Sequence, residues 1–241
     1  MSFVQTIALI LVAFGAGFIQ RVSGFGLGIF AMLFLPHIMP THTASAAISS
    51  MFSLGTSAYN AIRYRKHIPF RMILPPATAA IITIPIAVSF ASKISGALFK
   101  TILGIVLIGL SLYFLFFNQR VHIRATAKNG FLAGGFGGVL TGLFSTGGPP
   151  IVLYLSHATD DTNIYFAATQ FYFCLTSIYA TVLRILNGTV TQELFLYAIL
   201  GFLGCLAGNR IGSFFFTRLD SQKLRRIIYI GMIISGILMI L

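Results

Sequence analysis

The chain is 241 residues long, 57% apolar and only 8% charged, with a mean hydropathy of +0.92. Those values exclude an ordinary soluble domain and make lipid the expected solvent. Sixteen Lys and Arg stand against four acids, Asp160, Asp161, Glu193 and Asp220. The basic residues sit in short segments between apolar runs, not in one stripe or tail, which argues against nucleic acid as a partner.

Taken in chain order, the first apolar run, Phe3 to Ile19, predicts a long helix over about 3–20. It lacks the basic start of a secretory signal and runs into a glycine-rich motif that recurs later, so it is expected to remain in the mature protein. A glycine-rich break follows, then a short apolar piece over 27–41 and three helices over about 43–62, 70–91 and 97–117. The basic segment Gln119 to Lys128 joins this half to a second series: a helix over 129–144, another break, a short piece over 149–158, and helices over about 163–186, 191–214 and 222–241. Runs of ~20 apolar residues suit helices crossing ~30 Å of hydrocarbon, and none shows the alternating polar positions of a membrane β-barrel. The expected fold class is therefore all-α, a polytopic helical membrane protein with helices broken or re-entrant at the glycine-rich motifs. Cys174 and Cys205 lie singly in apolar runs, and nothing in the sequence calls for a metal or a cofactor.

The two series resemble each other. Gly15-Ala16-Gly17 to Ser23-Gly24-Phe25-Gly26 parallels Gly137-Gly138 to Ser145-Thr146-Gly147-Gly148, and Ala61-Ile62-Arg63 parallels Val182-Leu183-Arg184. Ser92-Lys93-Ile94-Ser95 likewise parallels Thr217-Arg218-Leu219-Asp220. One transmembrane domain over 1–241 is expected, with repeats of about 1–118 and 127–241. If the short pieces do not cross the membrane, the loop Lys and Arg divide eight to seven between its sides. If they do cross, loops 63–71, 119–128 and 208–226 collect twelve on one side and leave Lys93, Lys100 and Arg184 on the other. Basic short loops stay cytoplasmic, so the second arrangement is expected, with both termini outside and the halves inverted relative to each other. A 15-residue helix rises only ~22 Å, so each short piece would be a thin or partly re-entrant span.

The chemistry is expected at the two breaks, Gln20-Arg21-Val22-Ser23-Gly24-Phe25-Gly26 and Ser145-Thr146-Gly147-Gly148-Pro149-Pro150. Glycine lets a ligand approach the main chain, and Pro149 and Pro150 suit the first turn of a helix, whose free N–H groups and positive dipole end favour an anion. Ser23, Ser145 and Thr146 add hydroxyl donors. Two such breaks at equivalent places in two halves point to a transporter's binding site. Arg21 has two readings: a planar fork for an oxyanion, or a side chain reaching lipid headgroups from a helix end. Gln20 and Gln170 are each a packing amide or a donor to the ligand. Gly130, Gly134, Gly138 and Gly142, every fourth residue, read instead as a helix-packing stripe.

These repeated glycine-rich segments, the basic turn Arg63 to His67 and above all Gly-Gly-Pro-Pro at 147–150 resemble the sulfite exporter TauE/SafE family, also called toluene sulfonate uptake permeases, over nearly the whole chain. The resemblance implies a multi-pass transporter of the bacterial inner membrane for sulfite, thiosulfate, sulfonates or related anions. It also implies about eight helices from a duplication, a count that leaves out the short pieces. The expected substrate-binding set is Gln20, Arg21, Ser23, Gly24, Phe25, Gly26, Ser145, Thr146, Gly147, Gly148, Pro149 and Gln170. The expected partners are a small anion and the lipid bilayer, with self-association left open. An anion channel and a carrier of another small organic acid are the alternatives. A membrane enzyme is disfavoured, because no paired carboxylates or His-Glu-x-x-His lie in the apolar runs.

Overall fold

The computed structural model describes residues 2–116, 124–215 and 221–241. Part of the basic join at 119–128, and the second-half turn Thr217 to Asp220, lie outside the described residues. Among the described residues ten α-helices follow one another: α1 (Phe3–Ser23), α2 (Leu27–Ile38), α3 (His42–Arg63), α4 (Phe70–Lys93), α5 (Gly96–Phe116), α6 (Ala127–Phe144), α7 (Gly148–Ala158), α8 (Thr162–Leu186), α9 (Gln192–Phe215) and α10 (Ser221–Ile240). A 3-10 turn, Arg65–His67, follows α3. Side chains set the starts. Ser2 caps α1 in a box with Gln5, and Thr41, Thr126 and Asp161 accept from the first-turn N–H groups of α3, α6 and α8.

The chain is a multi-pass membrane protein. Among the described residues, five helices are long and apolar enough to cross a bilayer: α1, α4, α5, α8 and α9. α4 keeps its helix through Pro75, Pro76 and Pro85, as proline permits where neighbouring helices satisfy the freed carbonyls. α3 is as long as the others but more polar, and the reason lies in the site described below.

Lipid offers no hydrophobic drive between helices, so close backbone contact through small residues holds them together. The glycine stripe of α6 lies on α4: a Cβ on Gly134 would collide with the Pro76 backbone, and one on Gly142 would sit 2.8 Å from the Ile84 carbonyl oxygen. α1 and α9 are joined in the same way, Gly17 against the Cys205 backbone and Gly208 against that of Phe14. Gly104 of α5 and Gly236 of α10 each face the other's carbonyl oxygen. α3 packs against α8.

The short helices turn back on their predecessors. Gly15 faces the Phe30 ring and Gly26 faces Ile19, so α2 returns along α1; Gly130 lies under Tyr154 and Gly137 beside Ile151, so α7 returns along α6. With 12 and 11 residues they rise roughly 18 and 16 Å, less than a full crossing. Their first residues therefore lie inside the protein, where the two breaks meet: a Cβ on Gly28 would collide with the Ser145 carbonyl oxygen. At the far end of α2, Thr41, Gly96, Thr189 and Leu241 line one surface pocket, which puts the 39–41, 94–95 and 187–191 turns and the end of the chain together.

Gly134→Leu should remove most of the folded protein, because the new side chain meets main chain that cannot swing aside and overpacking alone costs ~1–3 kcal/mol. The yield of monodisperse protein from solubilised membranes checks this, and a normal yield would mean that α6 does not sit on α4 as described.

Candidate functional site

Four helix ends meet at the centre. α1 closes with Gly24 in the left-handed conformation (φ 81°), its N–H bonded to the Gln20 carbonyl at 2.9 Å, and Gly26 (φ 96°) precedes α2. α6 closes with Ser145, also left-handed (φ 58°), and Gly147 precedes α7. The N-termini of α2 and α7 open onto one cavity lined by Gly26, Leu27, Gly28 and Ile29 from one break and Ser145, Thr146, Gly147 and Gly148 from the other. The first N–H groups of a helix have no intrahelical acceptor, so Leu27, Gly28 and Ile29 present three donors there. In α7, Pro149 and Pro150 have none, which leaves Gly148 as the donor of that first turn. Both helix dipoles turn their positive ends to the same space.

The remaining wall comes from α3 and α8. Ser53 lines the cavity with Thr176 and Ser177, and the Ser177 hydroxyl donates to Ser53 Oγ at 3.0 Å. Below the cavity lies a buried amide cluster. Gln20, 1% exposed, donates from Nε2 to Ser57 Oγ (3.0 Å) and to Gln170 Oε1 (3.1 Å), and its Oε1 accepts from Thr56 (2.6 Å). Gln170 also accepts from Asn60 (3.2 Å) and donates to the Gly24 carbonyl (3.0 Å), so one amide both joins the halves and covers the end of α1. On the opposite side, Arg184 is 3% exposed and donates to Ser50 Oγ, to the Thr141 carbonyl (3.1 Å) and to the Gly142 carbonyl (2.8 Å). Ser145 donates to the Ala46 carbonyl (2.8 Å), so the Ser50–Ser145 contact has Ser50 as donor.

Six of the twelve expected residues line the cavity: Gln20, Gly26, Ser145, Thr146, Gly147 and Gly148. Among the three hydroxyls expected as donors, Ser23 bonds the Ile19 and Phe25 carbonyls and Ser145 bonds that of Ala46. Thr146 Oγ1, on a residue 2% exposed, has no protein partner and is the one left to offer. Gly24 and Gln170 stand behind Gln20, and Pro149 is buried in the first turn of α7. Phe25 packs on Phe114 (ring centroids 5.8 Å) and borders a separate pocket. Arg21 lies in the last turn of α1, its guanidinium 5.2 Å from the Phe166 ring centre and Nη2 3.4 Å from the Tyr64 hydroxyl, away from the cavity-lining set. Arg184, counted from the sequence among the loop charges, is instead enclosed in the core. Ser53, Thr176, Ser177 and Ser50 were not singled out from the sequence. Their signal was present as polar residues every three or four positions in α3, Ser49/Ser50, Ser53, Thr56/Ser57 and Asn60, and at steps of seven, four and three in α8, Thr169/Gln170, Thr176/Ser177, Thr181 and Arg184.

The profile of the sulfite exporter TauE/SafE family matches residues 9–239. The chain belongs to this family. Its members are transporters and not enzymes. A curated relative described as a probable sulfite/organosulfonate exporter, TauE of Cupriavidus necator, is 29% identical over 143 residues, 57% of this chain and 56% of that protein. The match thus spans little more than half the length of that relative. No solved structure matches the chain.

Gln20→Leu should lower the Tm of the purified protein by several degrees, because Thr56, Ser57 and Gln170 lose a shared partner and buried polar groups left unsatisfied cost ~1–3 kcal/mol. An unchanged Tm would show that the amide cluster is not a dry, mutually satisfied network.

Proposed function

We propose that this protein is a carrier that moves a compact oxidised-sulfur anion, such as sulfite, thiosulfate or a small alkanesulfonate, across the membrane through the cavity between α2 and α7. The observation behind the reading is the convergence of two helix N-termini on one buried, hydroxyl-lined space. Backbone N–H groups and the Thr146 and Ser53 hydroxyls supply donors, which match an anion's several oxygens and leave a cation little to bind. Space adds a size limit. About 30 Å³ is open to the centre of a water-sized sphere, where one water needs roughly 10–15 Å³, so a compact oxyanion such as sulfite or thiosulfate fits better than an aromatic sulfonate.

The helix pairings support a two-fold relation between α1–α5 and α6–α10. Exchanging the halves turns the α1–α9 contact into the α4–α6 contact and α1–α2 into α6–α7, while α3–α8 and α5–α10 map onto themselves. In this reading the halves are inverted repeats, the turn within 63–71 faces the cytoplasm, and both termini lie outside. The cavity lies between the Gln20–Gln170 cluster and the Arg184–Ser50–Ser145 chain, two polar closures that would open in turn during transport. The organosulfonate in the relative's description agrees with this substrate class.

Gly148→Leu should abolish transport in proteoliposomes while leaving the yield of folded protein close to normal. A Cβ there meets no backbone, only the tip of the Phe173 ring at 3.3 Å and the Phe25 Cβ at 3.7 Å, and Gly148 itself lines the cavity, so the added side chain would take up cavity space. Sulfite or thiosulfate counterflow measures it; wild-type flux in the variant would rule out this cavity as the path.

A further inference from the structure

Arg184 is a buried cation without a carboxylate. Among the described residues nothing acidic pairs with it: Asp161 lies at the other end of α8, roughly 35 Å along the axis, and Glu193 is exposed on α9. An enclosed charge with no counter-charge is among the most costly features of a membrane protein, and such residues mark function by default. Part of the cost is met by the Thr141 and Gly142 carbonyls, which form the negative end of α6. That accounts for how the residue is tolerated. Its position next to the cavity has a further consequence.

A broken helix brings two opposite dipole ends to the same place. At the second break the positive end of α7 faces the cavity, but so does the negative end of α6, because Thr141 and Ser145 line it too. An anion would feel both. The Arg184 guanidinium lies on the α6 carbonyls and cancels that end, so the N-terminal dipoles are left unopposed. At the first break the end of α1 meets only neutral donors, the Ser23 hydroxyl on the Ile19 carbonyl and the Gln170 amide on that of Gly24. The full charge therefore enters from one half only. It also reaches the cavity wall by a directed chain: Arg184 donates to Ser50, Ser50 to Ser145, and Ser145 to the Ala46 carbonyl.

We propose that Arg184 is the positioning residue that sets the charge preference of the cavity: from one residue layer behind the wall it supplies the positive potential that favours a doubly charged oxyanion over a singly charged one of the same shape. This rests on reading the cavity as an anion site. Arg184 does not touch the ligand, so its removal alters affinity in proportion to ligand charge and leaves the contact geometry in place.

The test uses the purified full chain and two anions of similar tetrahedral shape, thiosulfate (charge −2) and methanesulfonate (charge −1), titrated at neutral pH. Wild type should bind thiosulfate more tightly. Arg184→Gln, which keeps an amide donor for the carbonyls, should weaken thiosulfate roughly 25-fold and methanesulfonate only about fivefold, since Coulomb energy scales with ligand charge. Arg184→Lys should preserve the ratio of the two affinities. Ser50→Ala keeps the cation and should weaken both anions by one common factor. If Arg184→Gln does not fold, the Lys and Ala variants still decide, because a changed ratio in either overturns the proposal. A folded Arg184→Gln with the wild-type ratio would reduce Arg184 to a cap on α6. Wild type that binds neither anion would overturn the cavity reading itself, along with the role of Arg184.

Discussion

Breaking a helix inside a membrane releases backbone N–H and C=O groups where no bulk water can satisfy them, and this protein does so twice at one point. Much of the interior follows from that constraint. The carbonyls at the end of α1 are met by the Gln170 amide and the Ser23 hydroxyl, and those at the end of α6 by Arg184. The N–H groups opening α2 and α7 face the cavity instead. Satisfying the acceptors with protein while leaving the donors to the cavity turns a structural liability into a place for an anion.

The same constraint accounts for α3 and α8. Their facing surfaces are lined with Ser, Thr, Asn and Gln, polar enough to reach the released groups, and this is why α3 is less apolar than the other long helices. The scaffold around them needs little polarity. Glycine contacts fix α1 on α9, α4 on α6 and α5 on α10 at backbone distance, so the outer helices hold the hairpins α1–α2 and α6–α7 in a set register with their tips touching. Each of these pairs joins a helix of one half to a helix of the other, so both halves build the frame that holds the polar centre.

The sequence revealed the breaks because glycine next to hydroxyl and proline is a local pattern. It revealed the α6 stripe because a four-residue period survives without knowing the partner, and Gly134 and Gly142 do lie on α4. What it concealed depends on helix rotation and on distant chain. Arg184 stands two residues from the end of α8 and looks like a loop charge, yet its side chain points inward to α6, 42 and 43 positions away in sequence. Arg21 stands equally close to the end of α1, beside the glycine motif, and lies against Tyr64 and Phe166. The serines of α3 carry no signal one by one, because single hydroxyls in a membrane helix usually bond their own backbone. Their significance appears only when Ser53 meets Ser177 across 124 residues.

The account stands on an oxyanion held between two helix N-termini, and a structure determined with thiosulfate, using anomalous scattering from its sulfur atoms, tests that most directly. The account predicts one peak in the cavity, within hydrogen-bond reach of the Gly28 and Gly148 N–H groups and the Thr146 hydroxyl. A peak against Arg21 on the Tyr64–Phe166 face, with the cavity empty, would contradict it.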